Sequence, residues 1–473
     1  MANFSVGSAG NNVTGTETGD VIELVSGFKN STVDGLAGAD TLKISSTSFQ
    51  DSTVYLRGGD DTVTATQGGS ADIKSSTLIL GAGDDTFTFD ANSAGINNST
   101  IRGNEGQDTI AITFTGLSAT ASSLDIQSNQ GNDTITITSD ESLRSALIGG
   151  GAGADTIKLT GAGSLQDSTL AGGFGEDTIS ATQDFDSSLI RLGQGSNVET
   201  DSADTLVLSG LIRNTTVKGG NGNDTISATF EANSTSNVLE GNAGNDDIVL
   251  TASAIASAFE VRGGAGNDTI LVVGSAGLNQ SGEIYGGDGD DVISAAWTGY
   301  NIQGGVGADT MEWEDSAVNY DWTEGDSILG SMDNIELSGA AATNTVQMTF
   351  ASAVTSKTAT SYTAVATDDV ASADVTVISG GFVNFTGTTI GSADISAAVG
   401  VLDAALSTGE AVIFVMSAAN SVGTDGDDLY FFAKGSTDDT VVKFGSAMSV
   451  LSADSGHFNM AAGTSAEDLT ITI

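Results

Sequence analysis

The sequence predicts an all-β fold: a parallel β-solenoid of about 22 residues per coil, followed by a mainly-β C-terminal region with one helix. Three observations predict it. A glycine- and aspartate-rich turn, "GGNGNDTIS" at 219–227, returns in variants along most of the chain. Apolar residues alternate with polar ones after each turn. A small polar pair followed by an apolar residue precedes each turn.

The turns align on their last Asp, giving anchors at Asp20, Asp40, Asp61, Asp85, Asp108, Asp133, Asp155, Asp177, Asp204, Asp224, Asp246, Asp268, Asp291 and Asp309. The mean interval is about 22 residues, a solenoid period. Two residues after each anchor stands an apolar side chain, such as Ile22, Leu42, Val63, Phe87, Ile110, Ile226 or Met311, and two further on another apolar or small one. Period-two alternation marks a strand with one buried face. A second strand per coil is announced by "NSTV" at 30, "DSTV" at 51, "SSTL" at 75, "NSTI" at 98, "DSTL" at 167 and "NTTV" at 214. The expected coil is strand, polar bend, strand, Gly-rich turn, with two sheets facing each other across a thin core. Fixed at the bend, the Asn-x-Ser/Thr triplets of Asn30 and Asn98 read as structural rather than as glycosylation acceptors.

Composition narrows the function. The 473 residues include no Cys, no Pro and one His, with 61 acidic against 14 basic side chains and a formal charge of -47. Such a surface repels nucleic acid and anionic membranes and favours divalent cations as partners. Without Cys there are no disulfides, thiolate metal sites or cysteine nucleophiles. The start, "MANFSVGSAGNN", lacks a basic and then apolar leader, and no run of about 18 apolar residues suggests a transmembrane segment. His457 has no local partners for general-base work and is expected to be non-catalytic.

Glycines such as Gly219, Gly220 and Gly222 let a chain bend tightly with its carbonyls turned inward, and the Asp that follows adds a hard anionic oxygen. Oxygens converging from stacked turns describe a Ca2+ site. Here the chain resembles the RTX, or haemolysin-type, calcium-binding repeat family, whose pattern is G-G-x-G-x-D-x-U-x. Six copies match fully: Gly150 to Ile157, Gly172 to Ile179, Gly219 to Ile226, Gly263 to Ile270, Gly286 to Ile293 and Gly304 to Met311. In Gly103 to Ile110 and Gly241 to Ile248, Asn takes the second Gly position. The resemblance covers about residues 5 to 313. It implies a parallel β-roll with Ca2+ between stacked turns, export by a type I system, and folding driven by extracellular calcium.

The expected metal residues are Gly150, Gly153 and Asp155; Gly172, Gly175 and Asp177; Gly219, Gly222 and Asp224; Gly241, Gly244 and Asp246; Gly263, Gly266 and Asp268; Gly286, Gly289 and Asp291; Gly304, Gly307 and Asp309; and, in weaker copies, Asp40, Asp61, Asp85, Asp108 and Asp133. The family commonly repeats its nonapeptide back to back, with turns on both edges. Here the motif occurs once per coil, which predicts a single calcium column along one edge and hydrogen-bonded polar bends along the other. About a dozen Ca2+ would contribute about +24, taking the formal charge to roughly -23 and relieving repulsion between stacked Asp.

Basic residues also keep register: Lys29, Lys74, Arg144 and Arg213 lie eleven residues before an anchor, and Arg102, Lys218 and Arg262 six before. They read as compensation of nearby acids, or as a stripe that contacts an acidic neighbour or an anionic polymer. After Trp313 the anchors stop. Residues 320–339 are expected to cap a solenoid domain spanning 1–340, ahead of a β-rich domain at 341–473 that serves assembly, type I export or both. Within it, "SADISAAVGVLDAALSTG" reads as a helix with Ser392 as N-cap, a stripe of Ile395, Val399, Leu402 and Leu406, and Gly409 as stop. Small side chains, scarce catalytic residue types and a solenoid filling two thirds of the chain favour a secreted structural protein that self-assembles into a surface layer or fibre. It resembles bacterial S-layer and extracellular matrix proteins. The alternatives are a calcium-dependent adhesin or carbohydrate-binding module that contacts cell-surface polysaccharide, and a β-helical polysaccharide-active enzyme.

Overall fold

The computed structural model describes residues 2–6, 10, 12–25, 27–45, 49–67, 72–91, 95–114, 121–193, 202–230, 235–252, 257–274, 281–295, 300–313, 317–322, 333–337, 345–350, 355–356, 361–363, 374–377, 382–386, 395–408, 410–416, 428–434, 439–444, 459–462 and 468–472. It is an all-β parallel β-solenoid with one described helix, in two compact units, Met1–Asp247 and Ile248–Ile473.

From Val21 to Asn221 in the first unit each coil carries three strands rather than the expected two. A post-turn strand such as Thr86–Ala91 starts directly after the anchor; a two-residue strand such as Ile96–Asn97 follows at the polar bend; and a pre-turn strand such as Thr100–Glu105 leads to the next turn. All three stack parallel and in register with their counterparts one coil away. The post-turn row runs Ile22, Leu42, Val63, Phe87, Ile110, Ile135, Ile157, Ile179, Leu206, Ile226. The bend row runs Phe28, Phe49, Ile73, Ile96, Ala121, Leu143, Leu165, Phe185, Ile212. Every side chain in both rows is buried, and together with Val54, Leu78, Ile101 and their neighbours on the pre-turn strands they form the core. Stacking like on like is what a repeat dictates: Phe28 and Phe49 lie parallel, ring centroids 5.5 Å apart.

The polar bend has a local cause. Asn30, Asp51, Ser75, Asn98, Asp167, Ser187 and Asn214 all adopt positive φ between 45° and 53°, a conformation that short polar side chains tolerate. The next residue turns inward: the Ser31, Ser52, Ser76 and Ser168 hydroxyls donate to the carbonyls of Lys29, Gln50, Lys74 and Gln166 at 2.7–2.8 Å. The same oxygens accept from the preceding coil, as in Ser31 N–H to Ser52 Oγ and Ser52 N–H to Ser76 Oγ, both 3.3 Å. The "NST" signature is therefore a buried hydroxyl ladder, and Asn30 and Asn98 serve it structurally.

In the second unit, Thr269–Gly274, Val292–Ala295, Thr310–Trp313 and Asp333–Leu337 stack parallel. The anchors thus do not stop at Trp313: Asp333, in a segment read as a cap, opens one more coil strand. Thr440–Phe444 pairs parallel with Asp333–Leu337, and Asp428–Ala433 and Glu410–Met416 follow it antiparallel. The helix runs Ile395–Ala405, with Val399, Leu402 and Leu406 buried as the stripe predicts. Ser392, Gly409 and His457 lie outside the described residues.

Candidate metal centre

Each anchor Asp lies one residue before the first strand residue of its coil, where the chain leaves the Gly-rich turn and points its side chain inward. All fourteen expected anchors, and Asp333, are at most 2% exposed. One carboxylate oxygen has a fixed task. In the first unit Oδ1 of each Asp accepts the backbone N–H of the preceding anchor: Asp20 to Asp40, Asp40 to Asp61 and Asp61 to Asp85 at 2.7 Å, Asp85 to Asp108 at 3.0 Å, and onward through Asp133, Asp155, Asp177, Asp204 and Asp224 to Asp246. The second unit repeats this from Asp268 to Asp291, Asp309 and Asp333, at 2.7 to 3.1 Å. A second ladder lies outside it and runs the other way. Side-chain oxygens of the residue before the anchor accept the N–H of the following coil, as in Asp84 N–H to Asp60, Gln107 N–H to Asp84, Ala154 N–H to Asn132 and Asp290 N–H to Asn267.

Oδ2 of Asp40, Asp61, Asp85, Asp108, Asp133, Asp155 and Asp291 is buried and accepts no hydrogen bond. Burial raises these carboxyls strongly. Asp85 and Asp291 are pushed up to about 8 and Asp61, Asp108 and Asp155 to about 7; the N–H of the preceding anchor pulls back, and neighbouring carboxylates push further up. A buried unpartnered carboxylate is costly unless a cation or a proton compensates it. Asp20 shows the contrast. Its carboxylate accepts from the N–H of Ala2 and of Thr16 and from the Thr16 hydroxyl, and its pKa is lowered.

The residues present fit a calcium ion. Five positions before its Asp, the first motif glycine offers a bare inward face. A Cβ at Gly103, Gly150 or Gly286 would collide with Oδ2 of Asp108, Asp155 or Asp291, and at Gly103 and Gly286 also with the Ser128 and Gly304 carbonyls of the following coil. Gly172, Gly219, Gly263 and Gly304 hold the same place against Asp177, Asp224, Asp268 and Asp309, and the Gly241 carbonyl faces Gly219. A carboxylate oxygen and a carbonyl from the next coil thus converge where there is no side chain, the hard-oxygen set that Ca2+ takes. The fourth motif position, Gly153, Gly175, Gly222, Gly244, Gly266, Gly289 and Gly307, has φ between 110° and 155° and makes the turn itself. Where Asn replaces the second glycine, at Asn104 and Asn242, the backbone keeps φ of 85° and 81°. Among the described residues no three acidic or histidine side chains cluster.

Three anchors belong to the ladder without having been expected to bind metal: Asp20, Asp204 and Asp333. Asp204 joins it despite the insertion before it. Asp333 was concealed because the sequence before it lacks the glycine signature; only the D-x-U-x-U pattern of Asp333, Ile335 and Leu337 announces it. Four members of the basic stripes form ion pairs, Lys74 with Asp72, Arg102 with Asp125, Lys218 with Glu240 and Arg262 with Glu260, and Arg57, outside the stripes, pairs with Asp34.

Comparison with known proteins adds to this geometry. The RTX calcium-binding nonapeptide repeat model matches in four copies, over residues 209–229, 260–271 and 283–297. No curated protein matches the chain. A solved structure described as a hyperactive, Ca2+-dependent, β-helical antifreeze protein from an Antarctic bacterium is 19% identical, covering 72% of this chain and 85% of that one, with a TM-score of 0.37. With the repeat model and the buried carboxylate ladder in agreement, the chain carries calcium-binding nonapeptide repeats of the RTX type, and Ca2+ is their ion.

Proposed function

We propose that this chain is a secreted structural protein that folds on Ca2+ outside the cell and self-assembles into a surface layer or an extracellular fibre. The observation that carries the reading is the set of buried anchors, Asp40, Asp108, Asp155 and Asp291, whose Oδ2 atoms lack a hydrogen-bond donor and lie against the bare face of a motif glycine. Ca2+ would be held by these carboxylates and by turn carbonyls such as those of Ser128 and Gly304, and would supply the positive charge that the stacked Asp lack. Binding free energy then becomes folding free energy. At low calcium the chain, with its charge of -47, stays expanded and fit for export; at millimolar extracellular calcium it folds. Residues 341–473 serve assembly, the export signal or both, with further copies of the chain as the partner. Pairing of Lys74, Arg102, Lys218 and Arg262 with neighbouring acids supports a structural rather than a catalytic role, since these charges are neutralised locally rather than offered to an acidic polysaccharide. No helix among the described residues is long and apolar enough to cross a membrane.

A second reading, a calcium-dependent carbohydrate-binding module or adhesin, draws on one observation. Tyr55 and Tyr285 each lie beside an arginine, Arg57 and Arg262, on a pre-turn strand, with the guanidinium 5.6 and 5.7 Å from the ring centroid. Circular dichroism and light scattering of the purified chain, first in EGTA and then in millimolar Ca2+, separate the readings. A coil-to-β transition followed by growth into sheets or filaments is expected. Folding to a stable monomer would favour the module, and full β-structure in EGTA would overturn calcium-driven folding.

A further inference from the structure

The first motif position forms one continuous row on the inner side of the pre-turn strands of the first unit. Its registered neighbours place Gly35, Leu56, Leu80, Gly103, Ser128, Gly150 and Gly172 directly above one another. Two members break the glycine pattern with large side chains: Leu56 and Leu80 are completely buried, five residues before Asp61 and Asp85.

At the glycine rungs the room beside Cα is already taken by oxygen. A Cβ at Gly35, Gly103 or Gly150 would collide with Oδ2 of Asp40, Asp108 or Asp155. Leu56 and Leu80 have that Cβ, with an isopropyl group beyond it, and burial directs it into the same interior. Calcium needs six to eight oxygens at about 2.3–2.6 Å, and methyl groups at this point exclude them. Yet Asp61 and Asp85 keep their places in the backbone ladder, Oδ1 accepting the N–H of Asp40 and Asp61 at 2.7 Å. Their Oδ2 atoms are as buried and as short of donors as those of Asp40 and Asp108.

Resting on the calcium reading above, we propose that the array is interrupted: the glycine rungs of Asp40, Asp108 and Asp155 hold Ca2+, whereas the leucine-filled rungs of Asp61 and Asp85 do not and act only as hydrogen-bond acceptors in the backbone ladder. Leu56 and Leu80 are the residues that decide it. The expected metal set therefore loses Asp61 and Asp85, and two adjacent metal-free rungs separate Asp40 from the rungs that follow.

The test uses isosteric substitutions in the full chain, Asp61→Asn, Asp85→Asn, Asp108→Asn and Asp155→Asn, with bound calcium per chain counted by elemental analysis after gel filtration in calcium buffer. Asn keeps the Oδ1 acceptor but weakens a metal ligand. Asp108→Asn and Asp155→Asn are each expected to lose one Ca2+ per chain; Asp61→Asn and Asp85→Asn are expected to keep the wild-type count. Loss of one ion from either of the latter overturns the interruption while leaving calcium binding intact. An unchanged count in all four would overturn the calcium reading of these turns and the interruption with it. Should a variant fail to fold, anomalous scattering from a wild-type crystal grown in calcium decides. Peaks at the Asp108 and Asp155 turns with none at Asp61 and Asp85 are expected, and a peak at either leucine rung overturns the proposal.

Discussion

Two glycines in the same chain have opposite reasons to be there. Gly287 has φ of 126°, and a Cβ there would run into the carbonyl of Gly264 one coil away, so the backbones of successive turns approach only because it is bare. Gly400 sits in the middle of the helix Ile395–Ala405 with nothing within 4 Å of a Cβ. Gly287→Ala is therefore expected to destabilise the folded, calcium-loaded chain by about 1–3 kcal/mol from backbone strain alone, before the clash is counted. Gly400→Ala is expected to stabilise by about 0.5–1 kcal/mol, because Ala restricts the unfolded chain and favours the helix. Thermal denaturation of the pair in millimolar Ca2+ checks both signs. Equal effects would mean that close backbone approach is not what the turn glycines are for.

At the scale of the element, the coil's corners divide the work. The Gly-rich corner collects oxygen for a cation, while the polar bend closes on itself through hydroxyls. Ser76 shows how tightly: its Oγ donates to Lys74 O at 2.7 Å and accepts from Ser52 N–H at 3.3 Å. Ser76→Ala leaves the buried Ser52 N–H without its acceptor, while the Lys74 carbonyl keeps the Asp51 N–H, and an expected loss of about 1–3 kcal/mol follows. Urea denaturation measures it, with the calcium count as a control that should not change. What the sequence made legible follows the same division. The post-turn strands could be read because Thr109, Ile110, Ala111 and Ile112 alternate over enough residues to define a period. Bend strands such as Phe28–Lys29 are two residues long, too short for any periodicity, so the third sheet was missed and two sheets were expected. The anchors were legible wherever glycine marked the turn. Asp333 was not, because it joins the ladder through its carboxylate and backbone, neither of which needs a glycine before it. Nor could spacing alone separate Leu56 and Leu80 from the glycines in their row, because all of them face inward at the same register.

For the molecule as a whole, the buried anchor carboxylates tie folding to protons and, at the glycine-faced rungs, to calcium as well. Asp61, Asp85, Asp108, Asp155, Asp246 and Asp291 have folded-state values raised to between about 6 and about 8, above an ordinary carboxyl near 3.8, chiefly because burial disfavours their charge. A group whose pKa rises on folding binds its proton more tightly in the native chain. Its contribution is fully present below the unfolded value and fades as pH climbs through the folded one. In calcium-free solution the fold is therefore expected to be more stable at pH 5 than at pH 8, the decline starting above about pH 4 and levelling off as pH passes the folded values of about 6 to about 8. The formal charge of -47 adds repulsion in the same direction. Calcium changes the sign of the argument for the rungs it occupies, since ligation requires the deprotonated form and binding must release the proton. Saturating Ca2+ should flatten the decline towards pH 8 and shift the least stable condition to the acid side. Urea midpoints across pH 5 to 8, in chelator-treated buffer and again in millimolar Ca2+, give the two curves. A calcium-free midpoint that rises with pH would mean that the ladder carries its negative charge unaided, and that neither proton nor cation is what completes the fold.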